Sequence, residues 1–330
     1  MWTGKTRGES GSALLAVLWL SAALATIGFS LASTVRGETE RTSTALDSLR
    51  CYYLAAGGVE RAALELLWSV QNPAQRMLPD PTFQVIYRFA SGDVRVEIIP
   101  EAAKLDVNTI SPADLVRLGV AIGLEQDQAR QIAAAIVSWR QSAGPDAASV
   151  LPMPDPSSPS FRLPHASIQE IEELLAVPGV TPEIFYGTYL PAEGSSEGGP
   201  RLVRYPGLVD CLSVFGSKDA VDINTANPAV LAALGQTPVS IAAILQRRSQ
   251  GPIQDKDLGP FLASIGAPAI RLRVGGNSIV TMRATARLRL ANGQLGDLKR
   301  TVAAQVKYMP PGWDPPPVHI LRWYDTAWSD

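Results

Sequence analysis

Histidine and cysteine are nearly missing from this 330-residue chain, which holds two of each: His165 and His319, Cys51 and Cys211. There is no CxxC and no histidine pair at helical spacing, so the ligand patterns of zinc sites are excluded. Two cysteines make no disulfide framework. A single bridge between them is disfavoured because Cys51 falls on a predicted long helix. Charge is scarce as well. Charged residues are 18% of the chain and the net charge is -2, so the basic surplus of a dedicated nucleic-acid binder is absent. No proline occurs before Pro73, and no charged residue lies between Ser10 and Val35. What is plentiful is apolar: hydrophobic residues make up 46%, enough to bury a core in one large domain or two ordinary ones.

The charge-free run, SGSALLAVLWLSAALATIGFSLASTV, is long enough to cross a bilayer core of about 30 Å. Lys5 and Arg7 precede it, which puts the N-terminus on the cytoplasmic side. A secretory signal has a shorter apolar region, of about 7–15 residues, before a small-x-small cleavage site. Ala32-Ser33-Thr34 passes as such a site, so length alone leaves removal and retention both open. Beyond the run, Ala45, Leu49, Tyr52, Ala56, Val59, Ala63, Leu66 and Val70 recur at steps of four and three, an amphipathic helical stripe. The pattern predicts one continuous helix from about Ser12 to about Val70, its first half in lipid and its second packed on a globular domain. Gly28, Gly37, Gly57 and Gly58 are soft points in it, each costing up to about 1 kcal/mol against alanine.

Phe83 to Phe89 and Val94 to Ile99 read as two strands around Ser91-Gly92-Asp93. KLDVNTISPADLVRLGVAIGLEQDQARQIAAAIVSWR holds two helical patterns joined near Gly119 to Gly123. A proline- and serine-rich loop runs from Gly144 to Pro164, a short helix from Ile168 to Leu175, and a low-complexity stretch from Gly194 to Pro200. A second unit, VDINTANPAVLAALGQTPVSIAAILQRR, repeats the first. Asp106-Val107-Asn108-Thr109 and Asp222-Ile223-Asn224-Thr225 match, each with a proline three residues after the threonine, where a helix begins with a polar cap and needs no backbone N–H. Ile279 to Leu290 and Leu298 to Val306 alternate around Asn292-Gly293, a hairpin signal. Val318 to Trp323 is a last strand.

The two D-[VI]-N-T units, and LLAVPGVTPEIF, resemble helix-hairpin-helix modules that bring backbone N–H groups to phosphate. Proline at the second turn removes a donor, and Arg247 and Arg248 are the only nearby basic pair. Capped structural helices are therefore the simpler reading. Gly194-Ser195-Ser196-Glu197-Gly198 fits G-x-S-x-G but lacks the strand and helix that a nucleophile elbow needs. His165 and His319 read as incidental polar residues.

The short basic leader, Gly11, and then Ser12-Ala13-Leu14-Leu15-Ala16-Val17-Leu18 resemble the processing region of type IV pilin-like proteins. There a prepilin peptidase cuts after the glycine and the apolar helix is kept. Counting from Ser12, the fifth residue is Ala16, where most pilins carry a glutamate. An ionised carboxylate in lipid costs about 2.5–3.5 kcal/mol on insertion scales unless paired, and a subunit with no neighbour above has no partner for it. This departure, YYLAAGGVERA, the D-[VI]-N-T units and the closing HILRW resemble the K-type minor pseudopilins of type II secretion (general secretion pathway protein K).

The resemblance implies an α+β fold: a long N-terminal helix on a pilin-like antiparallel sheet, with a large, mostly helical domain inserted into it. The expected division is leader 1–11, transmembrane part 12–35, periplasmic helix and first strands 36–100, inserted domain 101–275 and closing strands 276–330. It implies a non-enzymatic tip subunit in the inner membrane, its globular part periplasmic, with I- and J-type minor pseudopilins, the major pseudopilin and the prepilin peptidase as partners and no nucleic acid. Gly11 and Ser12 form the processing junction, with the new amine methylated. Leu14, Leu15, Ala16 and Val17 belong to the apolar surface that packs on partner helices. The family is associated with calcium. Where its acidic cluster is expected, this chain reads Arg140-Gln141-Ser142-Ala143, which leaves Asp146 and Asp155 as calcium candidates and a solvated loop as the simpler reading. The alternative function is a membrane-anchored helix-hairpin-helix DNA-binding protein of the competence type.

Overall fold

A computed structural model of the chain describes residues 10–71, 84–141, 166–191, 202–268, 271–276, 278–308 and 318–327. Helix α1 runs unbroken over Ser10–Gln71, about 90 Å at 1.5 Å per residue. Inside its apolar part several hydroxyls bond back to the helix backbone. Ser21 Oγ donates to Val17 O (2.8 Å), Thr26 Oγ1 to Ala22 O (2.9 Å) and Thr34 Oγ1 to Ser30 O (3.0 Å), so each polar group is spent on the helix itself.

The chain then forms β1 (Gln84–Phe89), β2 (Gly92–Pro100), β3 (Leu105–Asp106), α2 (Pro112–Ala121) and α3 (Gln126–Arg140). Next come α4 (Pro182–Tyr186), β4 (Thr188–Pro191), β5 (Leu202–Tyr205), α5 (Leu208–Cys211), β6 (Leu212–Ser213), β7 (Val221–Asp222), α6 (Pro228–Ala233) and α7 (Pro238–Ser249). The remainder is α8 (Asp255–Ser264), β8 (Leu272–Arg273), β9 (Ile279–Arg289), β10 (Leu295–Tyr308) and β11 (Val318–Tyr324). The helix expected over Ile168 to Leu175 is instead a 3-10 turn over Ile171–Ala176.

Five strands form one antiparallel sheet in the order β1-β2-β9-β10-β11. Period-two alternation places Val94, Val96, Ile98, Met282, Ala284 and Val302 on the face toward α1, with Val59 and Ala62 of the helix against them. The opposite face is polar yet buried: Thr281, Arg283, Thr285, Thr301 and Gln305, with the Thr285 and Thr301 hydroxyls 2.9 Å apart. Tyr52, Val59, Ala63 and Leu66 of the expected stripe pack on the sheet, and the stripe departs from the packed face at its start. Cys51, Ala55, Val59 and Ala62 are buried, whereas Ala45 and Leu49 are exposed and the Val70 side chain lies outside the described residues. Small residues face the sheet because the approach is close. A Cβ on Gly58 would lie 2.5 Å from Val94 Cγ1, so this glycine is a contact point rather than a weakness.

The described residues between β2 and β9 build a second core of their own, around Leu118, Ile136, Trp139, Phe185, Leu231 and Ile244. The sequence repeat is a repeat of hydrogen bonds. β3 pairs in parallel with β6, and β7 with β8. Val107 N donates to Ser213 O (3.0 Å), as Ile223 N does to Arg273 O (2.8 Å). In each unit the aspartate accepts from the asparagine N–H: Asn108 to Asp106 at 2.7 Å, Asn224 to Asp222 at 3.2 Å. The prolines expected to open helices do so, at the starts of α2 and α6. Cys51 and Cys211 are both free and buried, the first on α1 and the second in the helical core.

Candidate functional site

The most exposed apolar surface among the described residues is α1 itself. Leu14, Leu15, Ala16 and Val17 are all exposed, and Trp19 is 71% exposed. Gly11 and Ser12 lie on the first turn of the helix, and the Ser12 side chain is outside the described residues. The helix from Ala13 onward is long and apolar enough to cross a membrane.

Past Val35 the helix stays two-faced. Cys51, Ala55, Val59 and Ala62 face the sheet. At 100° per residue, Leu46, Leu49, Tyr53, Leu64 and Trp68 fall on the opposite side, and all are exposed, Tyr53 and Leu64 at 66% each. Gly57 lies on that side with open space beside it, and Glu60 shares it. Charges elsewhere on the exposed helix neutralise one another locally, as in Arg41–Glu38 (2.9 Å), Arg50–Asp47 (3.0 Å) and Arg61–Glu65 (3.2 Å). A helix that needed only its own sheet would be polar on its far side.

Side chains fix α1 to the globular part. Tyr87 Oη donates to Glu65 Oε2 (2.7 Å), with the Arg61 guanidinium 4.7 Å from the Tyr87 ring centroid. Burial first, and then the Glu65 carboxylate, push the Tyr87 phenol up. Tyr52 Oη and Trp323 Nε1 both donate to Asp325 Oδ1, at 2.7 and 3.0 Å. The HILRW strand joins the two cores. Its Arg322 bonds the Glu170 carboxylate and Gln169 O and lies over the Phe215 ring, tying β11 to the helical domain. A cleft of about 530 Å³ beside it is lined by Glu170, Glu172, Tyr186 and Tyr324. Burial and the neighbouring Glu170 raise the Glu172 carboxyl.

The helix-hairpin-helix turns spend their donors internally. At the end of α2, Gly123 N donates to Val120 O and Leu124 N to Gly119 O. At the end of α6, Gly235 N donates to Ala232 O and Gln236 N to Leu231 O. Both are Schellman ends with glycine at positive φ, +99° and +87°. Arg247 donates to Gly251 O (3.0 Å) and Arg248 to Ala226 O (2.8 Å), and burial pushes the Arg248 guanidinium down to about 10.

Sequence reasoning missed the asparagines. Asn108 Nδ2 donates to Ile168 O (2.9 Å) and Ile168 N to Asn108 Oδ1 (2.8 Å). Asn224 does the same with Ile253, at 2.9 and 2.8 Å. Each side chain stands in for a strand backbone and clips a distant segment. The repetition of D-[VI]-N-T was the available signal. At the stretch where the family carries its acidic cluster, Arg140 donates to Val107 O (2.6 Å) and to Ile110 O, and among the described residues no group of three or more His, Cys, Asp or Glu is placed to hold a metal. Asp146, Asp155, His165 and the G-x-S-x-G segment lie outside the described residues. His319 sits in β11 opposite Lys307.

A long helix laid on an antiparallel sheet, with a helical domain spliced between the second and third strands, defines a pilin-like α+β fold. The particular likeness is to GspK in the crystal structure of the GspK-GspI-GspJ complex from the enterotoxigenic Escherichia coli type 2 secretion system. The TM-score is 0.56 at 14% identity, covering 88% of this chain and 100% of that one. No family model matches the sequence, and no curated protein matches it.

Proposed function

We propose that this chain is a K-type minor pseudopilin of a type II secretion system. It acts without catalysis at the tip of the pseudopilus, with I- and J-type minor pseudopilins beside it and the major pseudopilin below, to start the filament that exports folded proteins. The observation that carries this reading is the second apolar face of α1, running from the bilayer-length segment past Leu46 and Tyr53 to Leu64 and Trp68, on a fold shared with a protein crystallised in complex with GspI and GspJ. A prepilin peptidase cuts after Gly11 and leaves the anchor attached, its amine at Ser12 methylated. Lys5 and Arg7 hold the leader in the cytoplasm, so the globular part is periplasmic. Ala16 asks no neighbour to neutralise a carboxylate in lipid, which suits a subunit with nothing above it.

The test is the mature N-terminus, read by mass spectrometry of protein produced together with a prepilin peptidase. A chain beginning at Ser12 is expected. One beginning near Thr34 would mean that the apolar run is removed, and the tip-subunit reading would fail.

A further inference from the structure

The hairpin joining β9 and β10 reads RLRLANGQLGDLKR over residues 287–300. Leucines alternate with Arg287, Arg289, Lys299 and Arg300 around an Asn-Gly turn, against one acid, Asp297. Three contacts fix where it points. Gly58 faces Val94 and Val96, Leu54 lies beside Gly92 and Arg287 O, and Cys51 Sγ is 3.8 Å from Leu298 O. Because Val94 pairs with Ala286 and Val96 with Ala284, β9 runs antiparallel to α1 and the turn projects back toward the apolar end of the helix.

The distances are short. Cys51 stands about 24 Å along the helix from Val35. The turn reaches back about 10–13 Å from that level, leaving about 12 Å to the end of the apolar segment. Lipid headgroups fill roughly 5–7 Å of that gap, so the tip hangs within about one Debye length of their charges. Leu290 is 50% exposed and Leu298, Lys299 and Arg289 are exposed. The acids nearby are committed, Asp93 to Arg289, Asp297 to Arg287 (3.8 Å), Asp47 to Arg50, and Asp325 to Tyr52 and Trp323, so the turn keeps a cationic surplus in which Lys299 is the exposed cation outside these pairs. Exposed leucines interleaved with cations at this height match an anionic lipid surface, where the leucines meet the interface and the cations the phosphates.

We propose that the β9–β10 turn docks on the anionic headgroups of the same bilayer that holds α1, seating the globular part on the membrane until assembly lifts it away. This rests on the anchor reading of α1.

The test uses the full chain in vesicles of phosphatidylcholine alone or mixed with phosphatidylglycerol, carrying Asn292→Cys labelled with a fluorophore. Cys51 and Cys211 are buried and leave that site the reactive one. Co-flotation reads the anchor, and energy transfer to a headgroup acceptor reads the turn. Expected is flotation in both lipids, with transfer several-fold higher in the anionic vesicles and lost at high salt or with Leu290→Glu and Lys299→Glu, exposed changes that leave the circular dichroism unaltered. Equal transfer in both lipids, or none in either, with flotation intact, overturns the docking and leaves the anchor standing, pointing the turn to a protein partner. Loss of flotation overturns the anchor and the docking together.

Discussion

Asn224 does at residue scale what a strand does at larger scale. The residue is 92% buried and its carboxamide exchanges two hydrogen bonds with the Ile253 backbone. Removing it orphans a buried donor and a buried acceptor. Asn224→Ala is therefore expected to cost about 2–4 kcal/mol, read as a lower midpoint in denaturant. Asn108→Ala should cost less, because Asn108 is only half-buried. Equal small losses at both sites would mean that the clips are incidental. From the sequence these asparagines were visible as a repeat and nothing more, since their partners lie in segments with no matching pattern.

At the scale of one element, α1 shows why glycine must be judged by its surroundings. Gly57 and Gly58 are adjacent and both carry the same propensity penalty, up to about 1 kcal/mol against alanine. A Cβ on Gly57 meets open space, while one on Gly58 meets the stiff Val94 side chain at 2.5 Å, where overpacking costs about 1–3 kcal/mol. Gly57→Ala should thus raise the thermal midpoint and Gly58→Ala lower it. A rise in both would show that the helix is free to move off β2. The existence of the helix was legible from the missing prolines and the apolar run. Its packed face was legible in part: Tyr52, Val59, Ala63 and Leu66 of the stripe meet the sheet, whereas Ala45 and Leu49 do not, because the helix is apolar on two sides and periodicity does not say where the sheet begins.

At the scale of the molecule, the two repeat units of the helical domain are bound to each other through charge. Asp114 on α2, 98% buried, pairs with Arg271 before β8 and with Arg117, whose Nε reaches Ala233 O at the end of α6 (2.8 Å). Burial alone would raise this carboxyl. The hydrogen bonds from Arg271 and the Ser111 cap, with the two arginine charges, outweigh it and hold it below its usual 3.8. A lowered folded value stabilises the protein above the unfolded value and loses that contribution as pH falls through the folded one. Asp114→Asn should cost about 1–3 kcal/mol at pH 7, with both arginines partly solvated, and the gap from wild type should close as pH is lowered below about 4. Denaturant midpoints at pH 7 and pH 3 measure it. A gap of the same size at both pH values would assign the effect to shape rather than charge.

By itself the sequence determined the features set by neighbours along the chain. These are the uninterrupted helix, the proline-started helices after each D-[VI]-N-T, and the Asn-Gly hairpin with its alternating strands. Each depends on local backbone preference and on a period of 3.6 or 2. Only the tertiary structure decided that small residues of α1 meet the sheet, that Asn108 and Asn224 bridge to backbone far along the chain, that Arg322 ties the last strand to the helical domain, and that the leucine–arginine turn points back down the helix. Those facts depend on which surfaces meet across long stretches of chain, and one-dimensional patterning does not encode that choice.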